Sequence, residues 1–406
     1  MVTLFCDLDH IMDVTQIGKL TCMELERTFE LSQDLLADLS FDRVCQWKDA
    51  HPGARVIGYF PVYAPTEIIH AAGMLPVGLS GGGDRLDIQH ADARFGSFIC
   101  SIVKTTMEMG MREHLTLFDG LLFSSICDSA RNLCFVMKRN FPDLYIDFLH
   151  LPHNPSSAAS VDFLLSEYQR LAGELERLGG KKITEDALRD AIVLYNRNRQ
   201  LIRELYEFRC QKPHLLRAWE SYVLVRAGNF MPVEEHNQML EDSLKELAQR
   251  SGKTRDSIRV VVEGAFCEQP PLELIKLAED AGCYVVNDDF VIGRSWFVED
   301  VPAGGDPLRN LADSYVNRAV YSSVRHDFRA PRWEGLAEKV KQSRADAVLF
   351  LIAKFCEPAY FDYVLFKKKL EEIDVPHLLV EFEEKQFTFD RVRTEVETFV
   401  ESLVFD

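Results

Sequence analysis

The sequence predicts an α/β protein with two similar lobes, each with a mainly parallel sheet, plus N-terminal and central helical segments. Two apolar runs of strand length, residues 119–127 and 346–356, each begin with an acidic residue and end at a cysteine. Shorter apolar runs alternate with helix-length segments around them, as parallel βαβ units require. Because this larger pattern occurs once in each half of the chain, we expect two lobes that face each other.

The first predicted element is helical. Apolar side chains, among them Cys22, Leu25 and Phe29, recur at spacings of three and four in the first fifty residues. Residues 51–54 contain a proline and a glycine that end this pattern. The predicted domains are an N-terminal helical segment at 1–50, a first lobe at 51–157, a helical connecting region at 158–255 and a second lobe at 256–406.

Each lobe repeats one order of strands and helices. Its first strand is followed by a proline and a glutamate that start a helix, Pro65 with Glu67 and Pro271 with Glu273. Between the lobes, an apolar stripe that starts near Phe163 predicts one helix, and Thr184 is expected to cap the next. The eight apolar runs of strand length lie at 56–60, 75–79, 119–127, 145–149, 258–264, 284–286, 346–356 and 377–382.

Bulk composition argues against several classes of protein. A net charge of −18 over 406 residues is unfavourable for binding nucleic acid or anionic lipid, since both require a basic face. No stretch reaches the roughly 18 apolar residues that span a bilayer. No secretory signal is expected, because the first residues lack a basic stretch. Ten cysteines without such a signal predict free thiols or metal ligands in a reducing compartment, the cytoplasm.

The spacing of the cysteines restricts the kind of metal site. None stands in a C-x-x-C pair, which excludes zinc ribbons and the cluster-binding runs of bacterial ferredoxins. A metal site must therefore be assembled from distant residues. Cys127 and Cys356 are the strongest candidates, because each ends a strand where α/β sheets place their chemistry, although a buried cysteine is also an ordinary packing residue. Cys100, on a predicted helix of the first lobe, adds a third thiol.

Three thiolates on a four-iron cluster would leave one iron open to water or a substrate oxygen. Cys267, after the first strand of the second lobe, competes as a ligand, and its neighbours Glu268 and Gln269 could equally reach the cleft. Of the two helix-starting glutamates, Glu67 is the better candidate for a proton-handling or substrate-facing acid. The favourable interaction of a carboxylate with the helix dipole would also explain both glutamates.

Familiar nucleotide and hydrolase motifs do not fit this chain. Residues 251–254 imitate the end of a phosphate-binding Walker loop, but Leu247 replaces the required glycine and the segment follows a helix. The glycines at 81–83 lack the dinucleotide-binding spacing. Neither a G-x-S-x-G nor an H-E-x-x-H pattern occurs, which argues against serine hydrolases and zinc proteases.

Several longer motifs resemble the 2-hydroxyacyl-CoA dehydratase and benzoyl-CoA reductase superfamily. They are residues 59–78, 97–101, 126–133, 266–271 and 354–358. The resemblance extends from about Gly58 to the end of the chain. Within the superfamily it is nearest to the smaller cluster-binding subunits of the ATP-dependent reductases.

The resemblance implies two flavodoxin-like (Rossmann-like) lobes with helical additions and a [4Fe-4S] cluster. Its ligands would be Cys100, Cys127 and Cys356, which we call the cysteine trio. Glu67 is implied, less directly, as an active-site carboxylate. Four apolar side chains are expected to form walls of the cleft: Phe123, Ile126, Phe266 and Phe355.

The reaction implied is the two-electron reduction of benzoyl-CoA, an aromatic acyl-CoA, to cyclohexa-1,5-diene-1-carbonyl-CoA in anaerobic aromatic degradation. Expected partners are a related second cluster-binding subunit, two ATP-hydrolysing activator subunits and ferredoxin. Three alternatives stay open. The chain could belong to an (R)-2-hydroxyacyl-CoA dehydratase, act as a non-catalytic electron relay or scaffold, or be a two-lobed protein that clamps a ligand.

Overall fold

The protein contains two four-stranded sheets. The structure, a computed structural model, describes residues 25–179, 181–264, 267, 270–290, 296–325, 327, 329–383 and 388–405. The first sheet consists of β1 (Val56–Phe60), β2 (Leu75–Gly78), β3 (Gly120–Ser124) and β4 (Tyr145–Leu149). The second consists of β5 (Ile258–Glu263), β6 (Cys283–Asn287), β7 (Ala347–Ala353) and β8 (His377–Phe382).

Both sheets are entirely parallel and share one topology. The strand order is β2-β1-β3-β4 in the first sheet and β6-β5-β7-β8 in the second. The predicted fold, two flavodoxin-like α/β lobes, is confirmed. In each sheet the strand order reverses beside the first strand, between β1 and β3 and between β5 and β7. Ligands of such sheets bind at the carboxyl ends of the strands beside this reversal.

Helices cover the sheets and connect them. Those before and within the first lobe are α1 (Leu25–Ala37), α2 (Asp42–Ala50), α3 (Thr66–Ala71), α4 (Ser101–Met111) and α5 (Asp128–Asn140). The central helices are α6 (Ser160–Gly179), α7 (Glu185–Gln211), α8 (Ala218–Ala227) and α9 (Val233–Leu247). The remaining helices are α10 (Leu272–Asp280), α11 (Pro307–Arg318), α12 (Arg332–Ser343), α13 (Glu357–Glu372) and α14 (Asp390–Phe405). None of the helices in the described ranges is long and apolar enough to cross a membrane.

The helix α7 packs against both lobes. Its amino-terminal half contributes Leu188 and Ile192 to the hydrophobic core of the first lobe. Its carboxyl-terminal half contributes Leu201 and Leu205 to the core of the second lobe. The predicted cap is confirmed, because Thr184 Oγ1 accepts the backbone N–H of Ala187 at 3.1 Å. This 27-residue helix therefore forms a common support for the two sheets.

Two helices pack against the lobe that is not adjacent to them in the sequence. The helix α11 lies between β6 and β7 in the chain, yet Leu311 and Tyr315 join the core of the first lobe. Conversely, α1 precedes the first lobe but buries Leu25 and Phe29 in the core of the second. The domain boundaries stay a prediction, and these packing contacts interlock the two lobes. Cys22, placed in the N-terminal helix by the sequence, lies outside the described residues.

A buried carboxylate fixes the segment that leads into α4. The side chain of Glu108 is fully buried and accepts backbone N–H groups of Gln89, His90 and Ala91 at 2.8–3.0 Å. Arg112 Nε also donates to it at 2.9 Å. Burial opposes its ionisation, but hydrogen bonds from His90, Ala91, Arg112 and Gln89 outweigh burial and lower the pKa of Glu108 to about 2.

Replacing Glu108 with glutamine should reduce the free energy of unfolding at pH 7 by about 2 kcal/mol, since charge-assisted hydrogen bonds are weakened. The folded pKa lies below the usual carboxyl value of about 4.3. The stabilising effect of Glu108 is therefore present above that value and is lost as the pH falls toward 2. Denaturant titrations of wild type and Glu108→Gln at several pH values should show the difference shrinking below about pH 4.

Glu30→Gln on the exposed side of α1 is the matched control, and its stability should stay close to that of wild type. Equal stability of Glu108→Gln and wild type at pH 7 would contradict this role of Glu108.

Candidate functional site

The cysteine trio lies at the amino-terminal ends of three helices. Cys127 follows the end of β3 by three residues and caps α5, and Cys356 follows β7 by three residues and caps α13. Cys100 caps α4. Parallel sheets place such helix starts at the carboxyl edge of the strands, beside the reversal of strand order. The positive end of the helix dipole there favours thiolate over thiol.

The three thiols approach a fourth, Cys267, which follows β5 in the second lobe. Burial, and then the nearby thiols of Cys356, Cys127 and Cys100, raise the pKa of Cys267 well above its usual value. Such an influence requires short separations, so the structure gathers cysteines of both lobes in one place. Their role as cluster ligands stays a prediction.

Cys127 connects the two lobes electrostatically. Burial raises the pKa of its thiol, while hydrogen bonds from the backbone N–H groups of Ala130 and Ser129 oppose that shift. The N–H of Ala130 lies 3.5 Å from Cys127 Sγ. Glu357, the residue after Cys356 in the second lobe, also acts on this thiol. The carboxyl edges of the two sheets therefore face each other across the thiols.

Two residues near the thiols have left-handed backbone conformations without being glycine. Tyr63 has φ = 63° and Phe355, directly before Cys356, has φ = 68°. Tyr63 is buried beside Cys267, and its hydroxyl donates to Ser322 Oγ at 2.5 Å. Strained backbone costs about 1–3 kcal/mol per residue and concentrates at functional sites. The carboxyl edges of β1 and β7 therefore both carry strain close to the cysteines.

The side chains predicted to form the cleft walls differ in how exposed they are. Phe355 is 39% exposed, whereas Phe123 is fully buried in the first core, where its ring lies 5.6 Å from that of Phe60. Ile126 is buried. The remaining predictions for this cleft, Phe266, Glu268 and Gln269, lie outside the described residues.

An acidic group contains Asp289, which lies close enough to Cys267 to raise the pKa of that thiol. The carboxylate of Glu263, the last residue of β5, accepts from Lys339 Nζ at 2.7 Å and from the Tyr321 hydroxyl at 3.1 Å. Burial, followed by the charge of Glu263, raises the pKa of Asp289 well above its usual value. Asp289, Tyr321 and Lys339 line a cavity of about 450 Å³. None of these residues was predicted from the sequence, although acidic residues directly after an apolar strand are a usable signal.

A second cavity, of about 430 Å³, is lined by two minor candidates that the sequence analysis named. They are the glycine-containing loop that includes Gly81 and Gly83, and Glu273 at the start of α10. Arg226 and Tyr222 of α8 complete this wall. The cavity joins residues of both lobes and the central helices, but the cysteines are not among its lining residues.

Glu67 occupies a buried ion pair. Its side chain is fully buried, and Arg199 of α7 donates to its carboxylate. The Arg199 guanidinium also lies 4.7 Å from the centre of the Phe297 ring and donates to Asn196 Oδ1 at 2.8 Å. Glu67 therefore joins α3 to α7. Its predicted role as an active-site acid stays a prediction.

The spacing of the thiols bears on which inorganic group they could hold. Within the described part of the chain, no three His, Cys, Asp or Glu side chains are placed to hold one metal ion. A single zinc ion bonds each sulfur at about 2.3 Å and so needs them tightly packed. In a four-iron cluster each thiolate bonds a different iron, so the sulfurs stand further apart. The donor set is all sulfur and comes from two lobes, which is the chemistry that such a cluster would require of its ligands.

The fold and the site together define a two-lobed α/β protein with thiols gathered between its lobes. The family model described as 2-hydroxyglutaryl-CoA dehydratase, D-component, matches residues 61–403, so the chain belongs to this family. The superfamily predicted from the sequence motifs is confirmed.

Known relatives include both reductase and dehydratase subunits. The chain is 39% identical to a benzoyl-CoA reductase subunit of Thauera aromatica, over 91% of this chain and 96% of the relative. It is 27% identical to the (R)-phenyllactyl-CoA dehydratase beta subunit of Clostridium sporogenes, over 86% and 92%. It is 30% identical to the beta subunit of lactoyl-CoA dehydratase of Anaerotignum propionicum, over 87% and 93%.

Glu67→Gln should lower the free energy of unfolding by about 3–5 kcal/mol, because the buried guanidinium of Arg199 loses its counter-charge. Denaturant titration measures this loss. The double variant Glu67→Gln/Arg199→Met should recover part of it, since no buried charge is then left unpaired.

Full stability of Glu67→Gln together with lost turnover would contradict the structural role and favour proton handling. The conservative variant Arg199→Lys separates loss of charge from loss of the planar guanidinium that contacts Phe297.

Proposed function

We propose that this chain is the cluster-binding subunit of an ATP-dependent benzoyl-CoA reductase, with a [4Fe-4S] cluster held by the cysteine trio. The observation that carries the proposal is the approach of these three thiols to Cys267 at the facing edges of the two sheets. The identity of 39% to the Thauera aromatica benzoyl-CoA reductase subunit, over nearly the full length of both chains, favours this reaction.

A bound [4Fe-4S] cluster would supply one-electron transfer at low potential. The chain's own residues set the conditions for it. The starts of α4, α5 and α13 stabilise the thiolates of the trio. Backbone N–H groups donate to Cys127 Sγ, and hydrogen bonds to sulfur adjust the reduction potential. The buried ring of Tyr63, beside Cys267, helps to keep water from that thiol.

The proposed reaction adds two electrons and two protons to the ring of benzoyl-CoA, which gives cyclohexa-1,5-diene-1-carbonyl-CoA. Reduced ferredoxin supplies the electrons, and two activator subunits link their transfer to ATP hydrolysis. This coupling is needed because an aromatic thioester accepts an electron only at or beyond the low end of iron–sulfur potentials.

An exposed apolar face supports the proposed pairing with a second subunit. Phe361, Val364 and Leu365 share one side of α13 and are 73%, 65% and 40% exposed. Phe355, near the start of the same helix, extends this face toward Cys356. Clustered exposed apolar side chains are typical of protein interfaces. A related cluster-binding subunit docked here would lie close to the thiols.

A dehydratase subunit is the second candidate. The relatives named above include two dehydratase beta subunits at 27% and 30% identity. Such an enzyme would use the same thiols for a redox-neutral elimination of water from an (R)-2-hydroxyacyl-CoA.

Anaerobically purified complex should contain about four iron atoms per copy of this chain beyond those of its partners. Cys127→Ser should lose at least half of them, because one of three ligands is replaced by a weaker one. Iron and sulfide analysis measures the loss. Cys45→Ser, a half-buried cysteine on α2, is the control and should keep its iron.

Full iron content in Cys127→Ser would contradict the proposed ligand set. Lost iron with normal turnover would instead favour a scaffold or relay role for this chain.

The assembled complex, supplied with activator, ATP and reduced ferredoxin, should convert benzoyl-CoA to the dienoyl product and leave an (R)-2-hydroxyacyl-CoA unchanged. Product analysis by mass spectrometry distinguishes the two reactions. Elimination of water from the hydroxyacyl-CoA without reduction of benzoyl-CoA would overturn the reductase assignment in favour of the dehydratase.

A further inference from the structure

We propose that Cys267 is a fourth sulfur ligand, so that the cluster of this chain is closed by four cysteines. The inference rests on the proposed function, because it presupposes the cluster held by the cysteine trio. It changes the chemistry that this subunit performs. A cluster with four thiolates has no open iron for a substrate oxygen, whereas a cluster with three has one.

The topology places Cys267 at the right edge of the sheet. It follows the end of β5 by four residues, and Cys356 follows the end of the adjacent strand β7 by three. The two strands are parallel neighbours in direct register, with Glu263 beside Phe350. Both cysteines therefore emerge at the carboxyl edge of the second sheet, beside the reversal of strand order.

Cys267 packs against the first lobe. Although it belongs to the second lobe, it lies against the hydrophobic core of the first, as Cys100 and Cys127 do. Tyr63, which follows β1 of the first lobe, is its neighbour. Cys356 packs against the cores of the second lobe. Cys267 thus packs on the same core as the two first-lobe thiols, while it leaves its sheet at the same edge as Cys356.

The other described cysteines have different surroundings. Cys134 and Cys283 are buried in the cores of the first and second lobe, respectively. Cys45 of α2 lies beside Ser40, and Cys210 lies beside Arg259. Of the other seven described cysteines, the three of the trio are the ones close enough to act on Cys267.

Ligation of the cluster by Cys267 would replace one iron ligand by another. The thiol loses its proton to solvent, its sulfur forms a bond to iron, and water or another weak ligand leaves that iron. No electron is gained or lost in this step. The closed cluster would then pass electrons, and contact between substrate and an open iron would fall to the related second subunit.

The test compares wild type with Cys267→Ala and Cys267→Ser in the anaerobically purified complex. Mild ferricyanide oxidation removes iron that lacks a cysteine ligand, which leaves a [3Fe-4S] cluster detectable by electron paramagnetic resonance. Both variants should keep most of their iron before oxidation. After oxidation they should lose about one iron in four from this chain's cluster and gain a [3Fe-4S] signal above the wild-type level. Cys45→Ala should behave like wild type.

Equal signals in wild type and both Cys267 variants would overturn the inference. Circular dichroism checks that each variant is folded. The serine variant is close in size to cysteine, so it keeps the test valid if the alanine variant is destabilised. Failure of the proposed function has a different result, because wild type would then contain no iron that depends on Cys127.

Discussion

Two buried ion pairs on α7 hold the two lobes in relation to each other. Arg199 pairs with Glu67 of the first lobe, and Arg209 pairs with Asp288 of the second at 2.6 Å with both side chains fully buried. The two arginines are ten positions apart, which corresponds to about 15 Å along a helix. Because an unpaired buried charge is costly, each pair fixes its lobe on this helix. The gap between the two sheet edges depends on that spacing.

The same constraint explains why the thiols meet. Parallel strands all present their carboxyl ends at one edge, and helices that follow them begin there. Two sheets fixed edge to edge therefore direct Cys127 and Cys356 toward each other, and Cys100 joins them from the start of α4. Several thiolates placed close together would repel one another, and this repulsion contributes to the raised pKa of Cys267. A positively charged inorganic group would relieve that repulsion, and iron is the partner that the proposed function supplies.

The relatives indicate which features of the site are general. A reductase subunit and dehydratase subunits match most of this chain, so the two-lobed support is compatible with either reaction. Under the proposed function, the choice between reactions depends on groups around the thiols rather than on the fold. Here these groups include Tyr63 and Asp289, which both lie close to Cys267, and Tyr63 has a left-handed backbone conformation.

The sequence by itself determined the two lobes, the parallel strands and the helix start at Thr184, because apolar periodicity and capping residues act locally. It also selected Cys127 and Cys356, since the end of an apolar strand is visible in the sequence. It named Cys267 only as a competing ligand, and the tertiary structure then placed this thiol close to the trio, with Tyr63 beside it. Only the tertiary structure showed the ion pair between Glu67 and Arg199 and the packing of α11 on the first lobe. Most of these contacts join residues more than a hundred positions apart, and no local pattern encodes the distance between two separately folded sheets.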